Sequence, residues 1–178
     1  NIEATENVID KLRMVKDETE LSYIEKACEI TDKCFKHLLN YIKIGMTERQ
    51  VAFEIEKFFL DNGADGVAFE SIVASGENSS KPHAIPSDKI IRFGDPITID
   101  FGAKYKGYCA DMTRTIFAGE VSDELRNLYN YILKNQLRAT KDIKEGNSCK
   151  FIARNVENDF YLYNYTLIHA LGHGVGLN

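Results

Sequence analysis

The sequence predicts an α+β domain in which helices flank an antiparallel sheet. Three observations carry that expectation. Apolar residues recur at three- and four-residue steps through the first third of the chain, which is the helical period. The period drops to two in ITIDF and YCADMTRT, as strands require. Beyond Ser122 the helical spacing returns.

DETELSYIEKACEITDKCFKHLLNYIK reads as one long helix with Ile24, Cys28, Thr31, Phe35, Leu38, Leu39 and Ile42 as its apolar stripe. Asp17 can cap its start with Glu20 three residues on, and Gly45 is expected to end it. Thr47 and Gln50 form a second capping box. The helix that follows buries Val51, Ile55, Phe58 and Phe59 and stops at Asn62-Gly63. VAFESIVASG reads as a strand ending in a glycine turn, and ENSSKPHAIPSDK as a polar loop. PITIDFGA and GYCADMTRTIFA are strands. SDELRNLYNYILKNQLRATKDI is a third helix, expected to turn Leu125, Leu128, Ile132 and Leu133 inward. Ser148 to about Phe160 makes a fourth, and YTLIHALGHGVGLN returns to a strand-like, then glycine-rich, segment.

The bulk numbers point to an ordinary globular domain. At 178 residues the chain supports one sizeable core. Its net charge of -5, with no dense basic cluster, gives no reason to expect nucleic acid. No apolar run approaches the ~20 residues of a membrane span, and no signal-peptide pattern opens the chain. The first residue is Asn1 rather than Met, so the start is not expected to be a native N-terminus. Cys28, Cys34, Cys109 and Cys149 form no Cys-x-x-Cys pair and read as reduced, mostly buried thiols of a cytoplasmic protein.

The chemistry concentrates in ITIDFGAKYKGYCADMTRT. With Tyr105-Lys106 as the hairpin loop, Asp100 falls opposite Asp111, Thr98 opposite Thr113 and Gly102 opposite Cys109, all on one face. Ile97, Ile99, Phe101, Tyr108, Ala110 and Met112 take the other. A wet polar face is the ordinary explanation of such alternation. Short hydroxyls, a thiol and two acids are an unusual solvent face, however, and directly opposed carboxylates repel. A shared proton or a bound cation would compensate. Gly107 leaves a bulged turn, and so another register, open. His169 and His173 add imidazoles, and two carboxylates with imidazole suit Mn, Co, Fe or Zn rather than Ca. Gly172, Gly174 and Gly176 argue against a helix there. His83, in KPHAIPS, is a lone loop histidine.

Taken together, KPHAIPSDK, IDFGAKYKGYCADMTRT and HALGHGVGL resemble the pita-bread metallopeptidases, and within them Xaa-Pro dipeptidases and aminopeptidases P. MVKDETELSYIEKACEIT, GMTERQVAFEIE and FESIVASGENSSKPHAIPS match in order, so the likeness spans nearly the whole chain. The resemblance implies a pita-bread fold and a centre of two divalent metal ions, Mn or Co. Asp100, Asp111 and His173 correspond to metal ligands. His83 and His169 correspond to histidines that contact substrate and transition state. Thr113, in the TRT that separates this branch from methionine aminopeptidases, lies beside Asp111 on the same face and is a candidate hydroxyl supporting it, or equally a plain strand threonine.

The family pattern also calls for a further histidine and two glutamates after His173, whereas the sequence stops at Asn178. The expectation is therefore a partial catalytic domain over residues 1–178, without the N-terminal domain or the C-terminal ligand-bearing strands, and inactive by itself. The implied function is hydrolysis of Xaa-Pro bonds in proline-containing peptides, with no nucleic acid or membrane partner and a homodimer left open. The alternatives are a non-catalytic peptide-binding module on the same fold and a creatinase-like hydrolase.

Overall fold

The computed structural model describes residues 8–178. Two units emerge: one runs to Gly119 and takes in Gly174–Asn178, and the other is Glu120–His173. In the first unit the elements are α1 (Val8–Met14), α2 (Glu18–Tyr41), α3 (Glu48–Asp61), β1 (Gly66–Val67), β2 (Ile72–Ser75), β3 (Pro96–Phe101), β4 (Ala103–Tyr105), β5 (Tyr108–Cys109) and β6 (Met112–Phe117). A 3-10 turn over Gly76–Ser80 follows β2. The second unit holds α4 (Asp123–Asp142) and α5 (Cys149–Leu162).

Both expected capping boxes form. Asp17 accepts from the Glu20 N–H while Glu20 reaches back to the Asp17 N–H, and Thr47 and Gln50 do the same for α3. Helix α2 ends earlier than Gly45 suggests. Its C-cap is Ile42, and Gly45, at φ +96°, serves the turn beyond.

The strands pair antiparallel in two small sheets, ordered β1-β4-β5 and β2-β3-β6. Ile97, Ile99 and Phe101 alternate into a core shared with Ile30, Cys34 and Leu38 of α2 and Val51, Ile55 and Phe59 of α3. Each such buried aliphatic or aromatic side chain contributes ~1.5–3 kcal/mol. The α2 stripe differs from the expected one: Cys28 is exposed and Leu39 is 52% exposed, while Ala27, Ile30, Thr31, Cys34 and Leu38 are buried. α2 packs on β4 and β5, and Ala27 and Thr31, four residues apart, share one face of the helix. Thr31 completes that contact, accepting from the Ala103 N–H at 3.0 Å and donating to Ala27 O at 2.9 Å.

All four cysteines are free, but only Cys34 and Cys109 are buried. On α4, Leu125 and Leu128 are half-buried, whereas Ile132 and Leu133 are exposed. The helix instead buries Asn135 and Ala139, the latter in a small cluster with Ile152 and Val156. Residues 165–178 form no strand. Within the first unit, Gly176 O accepts from the Cys109 N–H at 2.7 Å, which ties Gly174–Asn178 to β5 without a ladder. No helix among the described residues is long and apolar enough to cross a membrane.

Candidate functional site

The hairpin register places the carboxylates. The turn residues are Lys106 and Gly107, at φ +51° and +84°, because a tight hairpin turn needs positive φ at both positions and glycine takes the second without steric cost. Tyr105 therefore pairs with Tyr108 and Lys104 with Cys109, two residues away from the expected register. Asp100 faces Thr113 rather than Asp111, and Thr98 faces Thr115 rather than Thr113. An even shift preserves the side-chain alternation: Ile97, Ile99, Phe101 and Ala110 are buried as expected, whereas Tyr108 and Met112 are half-buried and Cys109, expected on the other face, is buried as well.

Thr113 Oγ1 donates to Asp100 Oδ1 at 2.7 Å, and Thr98 and Thr115 hydroxyls meet at 3.2 Å two pairs further along. Asp111, exposed, lies between β5 and β6, diagonal to Asp100. Gly102, two residues beyond Asp100, lies against the Ala110–Asp111 backbone, where a Cβ would come within 1.7 Å of Ala110 O. Only glycine lets the two arms approach so closely here. The direct opposition of like charges thus gives way to a diagonal placement, bringing a hydroxyl donor against one carboxylate.

His83 is exposed in the loop between the 3-10 turn and β3. His169 and His173 are exposed, in the second unit, and lie in neither helix nor strand. His169 Nδ1 is 2.8 Å from Ala170 O. A carbonyl can only accept, so Nδ1 carries the proton and Nε2 is the atom left for another partner. Among the described residues no three His, Cys, Asp or Glu side chains are grouped so as to hold a metal ion. The chemistry of the hairpin donors nevertheless fits one: two carboxylates carry negative charge, and the hydrogen bond to Asp100 engages Oδ1, leaving Oδ2 for a ligand.

Sequence reasoning missed Glu48. Its position right after the Thr47 cap suggested only a helix start, yet the side chain is fully buried. Oε1 accepts from the Ser75 N–H (2.7 Å) and hydroxyl (3.0 Å), and Oε2 from the Ser87 hydroxyl (2.7 Å) and N–H (3.2 Å). Asn78 Nδ2 donates to both oxygens, at 3.1 and 3.3 Å. Burial alone would push this carboxyl up, but the bonds from Ser87, Ser75 and Asn78 outweigh it and hold the group below its usual value. The clue in the sequence was the set of short donors in SGENS and PSD.

Residues 22–178 match the family described as metallopeptidase family M24. The chain is 43% identical to the Xaa-Pro dipeptidase of Pyrococcus furiosus over 175 residues, 97% of this chain and 50% of that protein. A Bacillus subtilis protein described as an uncharacterized peptidase is 40% identical over 177 residues, 95% of this chain and 48% of its own length. Among solved structures, the Xaa-Pro dipeptidase from Bacillus anthracis superposes with a TM-score of 0.94 at 40% identity, covering 98% of this chain and 50% of that one. The X-Pro aminopeptidase from Thermotoga maritima superposes with a TM-score of 0.93 at 41% identity, again covering 98% and 50%. The chain spans about half the length of the curated relatives it matches.

Proposed function

The chain belongs to metallopeptidase family M24, with the pita-bread fold, and from that premise we propose that the protein carrying it is a metal-dependent exopeptidase hydrolysing Xaa-Pro bonds in proline-containing peptides. The observation that supports this most directly is the 43% identity, over nearly the whole chain, to a protein named Xaa-Pro dipeptidase.

Asp100, Asp111 and His173 would hold the divalent metal, for which two Mn or Co ions are proposed. A metal bound there would supply Lewis acidity and a water of lowered pKa. The chain's own part is orientation and charge. Thr113 fixes one oxygen of Asp100, so the carboxylate presents the other in a set direction. His83 would donate toward the oxygen on which charge develops as the scissile carbonyl is attacked. His169, its Nδ1 proton engaged by Ala170 O, would offer Nε2 to the substrate.

The test is to load the full-length protein with Mn²⁺ or Co²⁺ and measure bound metal and turnover of Xaa-Pro dipeptides, longer Xaa-Pro peptides and creatine. Cleavage of Xaa-Pro substrates is expected, with Asp100→Asn and Asp111→Asn losing metal, and His83→Ala keeping metal while losing ~10²–10³ in rate. Full metal loading without hydrolysis would favour a binding module, and turnover of creatine alone a creatinase-like hydrolase. Loss of metal in His83→Ala would reassign that histidine as a ligand.

A further inference from the structure

The Glu48 network encloses one loop. Ser75 and Asn78 lie where the chain leaves β2, and Ser87 where it returns; His83 sits between them. One carboxylate, buried at the start of α3, therefore grips both feet of the loop that presents an exposed histidine. The α3 backbone grips the same return: the Arg49 N–H donates to Ser87 O at 3.0 Å and the Glu48 N–H to Lys89 O at 3.1 Å. These helix N-terminal donors would otherwise lack partners.

The network also reaches the strand that carries Asp100. Ser75 Oγ, donating to Glu48, accepts from Lys89 Nζ at 2.9 Å. Lys89 Nζ in turn donates to Asp95 Oδ2 at 3.1 Å, immediately before β3. Asp95 Oδ2 also takes the Arg92 N–H at 2.9 Å, closing the turn into that strand. The His83 loop and the Asp100 strand thus share one polar base.

We propose that Glu48 is a positioning residue: it staples the loop over residues 76–87 so that His83 is held in register with the Asp100 strand, and it acts on turnover only through His83. This rests on the peptidase reading above. A fully buried carboxylate with donors from three separate residues exceeds what an ordinary helix start requires, since Thr47 and Gln50 already cap α3.

Glu48→Gln tests it. The amide NH₂ can no longer accept from the Ser87 N–H, so one foot of the loop is released while the backbone bonds of Glu48 and Arg49 remain. In the full-length Mn²⁺-loaded protein, hydrogen exchange should rise across residues 76–87 and stay unchanged in β3 and β6. Metal per chain should be unchanged and kcat on an Xaa-Pro dipeptide should fall about tenfold or more, as small misplacements do. Glu48→Gln combined with His83→Ala should be no slower than His83→Ala alone, because a residue acting through another adds nothing once that other is gone. Independent, multiplying losses would overturn the proposal, as would unchanged exchange in the loop. If Glu48→Gln does not fold, Ser87→Ala, which removes the 2.7 Å hydroxyl bond to Glu48 and the 3.2 Å bond that the same hydroxyl accepts from the Lys89 N–H, carries the same expectations. A wild type inactive on every Xaa-Pro peptide would count against the peptidase reading, while the exchange measurement still decides whether the staple exists.

Discussion

Asp100 and Thr113 face each other across β3 and β6, and the threonine hydroxyl donates to the aspartate Oδ1 at 2.7 Å. A hydroxyl bonded to a carboxylate oxygen fixes the orientation of that carboxylate. The pairing also explains how the hairpin carries an acid on each of its arms: a donor, not the second acid, stands directly opposite the first.

Thr113→Val keeps the shape of the side chain and removes the donor. The expected outcome in the full-length protein is Mn²⁺ affinity weaker by ~10-fold or more, the usual effect of losing a bond to a ligand. Competition against a chelator of known affinity measures it. Affinity equal to wild type would reduce Thr113 to a strand residue with no role toward metal.

Much of the fold was legible because its signals are local. Asp17, Glu20, Thr47 and Gln50 mark helix starts through bonds spanning three residues, and Ile97, Ile99 and Phe101 mark a buried strand face by alternation alone. The hairpin register depended on which residues tolerate positive φ. Placing Tyr105-Lys106 in the turn put Gly107 outside it, whereas Gly107 belongs at the second turn position. What stayed hidden is long-range. Nothing near Glu48 in the chain announces partners at Ser75, Asn78 and Ser87, and nothing near Thr31 announces Ala103. Alternation nominated Asp100 and Asp111, the spacing in HALGH nominated His169 and His173, and only the family resemblance nominated His83; alternation cannot say which residue faces which.

Gly102→Ala should be severely destabilising. The added methyl would lie 1.7 Å from Ala110 O, a backbone atom that cannot step aside without breaking the bond from the Ala110 N–H to Ala103 O. A loss of ~3 kcal/mol or more is expected, at or beyond the upper end of overpacking costs. Urea unfolding would show it, with weaker metal binding as well because the displaced Ala110 backbone leads directly into Asp111. Stability within ~1 kcal/mol of wild type would mean that the arms can spread without cost.

Thr31→Val should cost ~1–3 kcal/mol, because it leaves the buried Ala103 N–H without its acceptor. Thr31→Ser, which keeps the hydroxyl, should recover most of that loss. Chemical denaturation of both variants distinguishes a hydrogen bond from simple packing: equal stability of the Val and Ser variants would assign the position to packing.

Acid stability should depend on Glu48. Its carboxyl is held below the ordinary value of 4.5 in the folded protein, burial opposing and the bonds from Ser87, Ser75 and Asn78 prevailing. A group depressed by folding contributes stability that is fully present above its unfolded pKa and is lost as pH falls through its folded pKa. The window therefore opens near 4.5 and extends downward. Glu29 is also depressed, to about 2, by Lys26 and Lys33, but that cluster is solvent-exposed and screened, so it should matter less. Glu48→Gln lacks the titration altogether. Its stability should be lower than wild type at pH 7, and the gap should narrow as both proteins are taken from pH 5 toward pH 3. Urea midpoints measured across that range give the two slopes. Parallel slopes would mean that the buried carboxylate enters the folded state without being depressed, and that its six-sided grip on the loop is weaker than the geometry indicates.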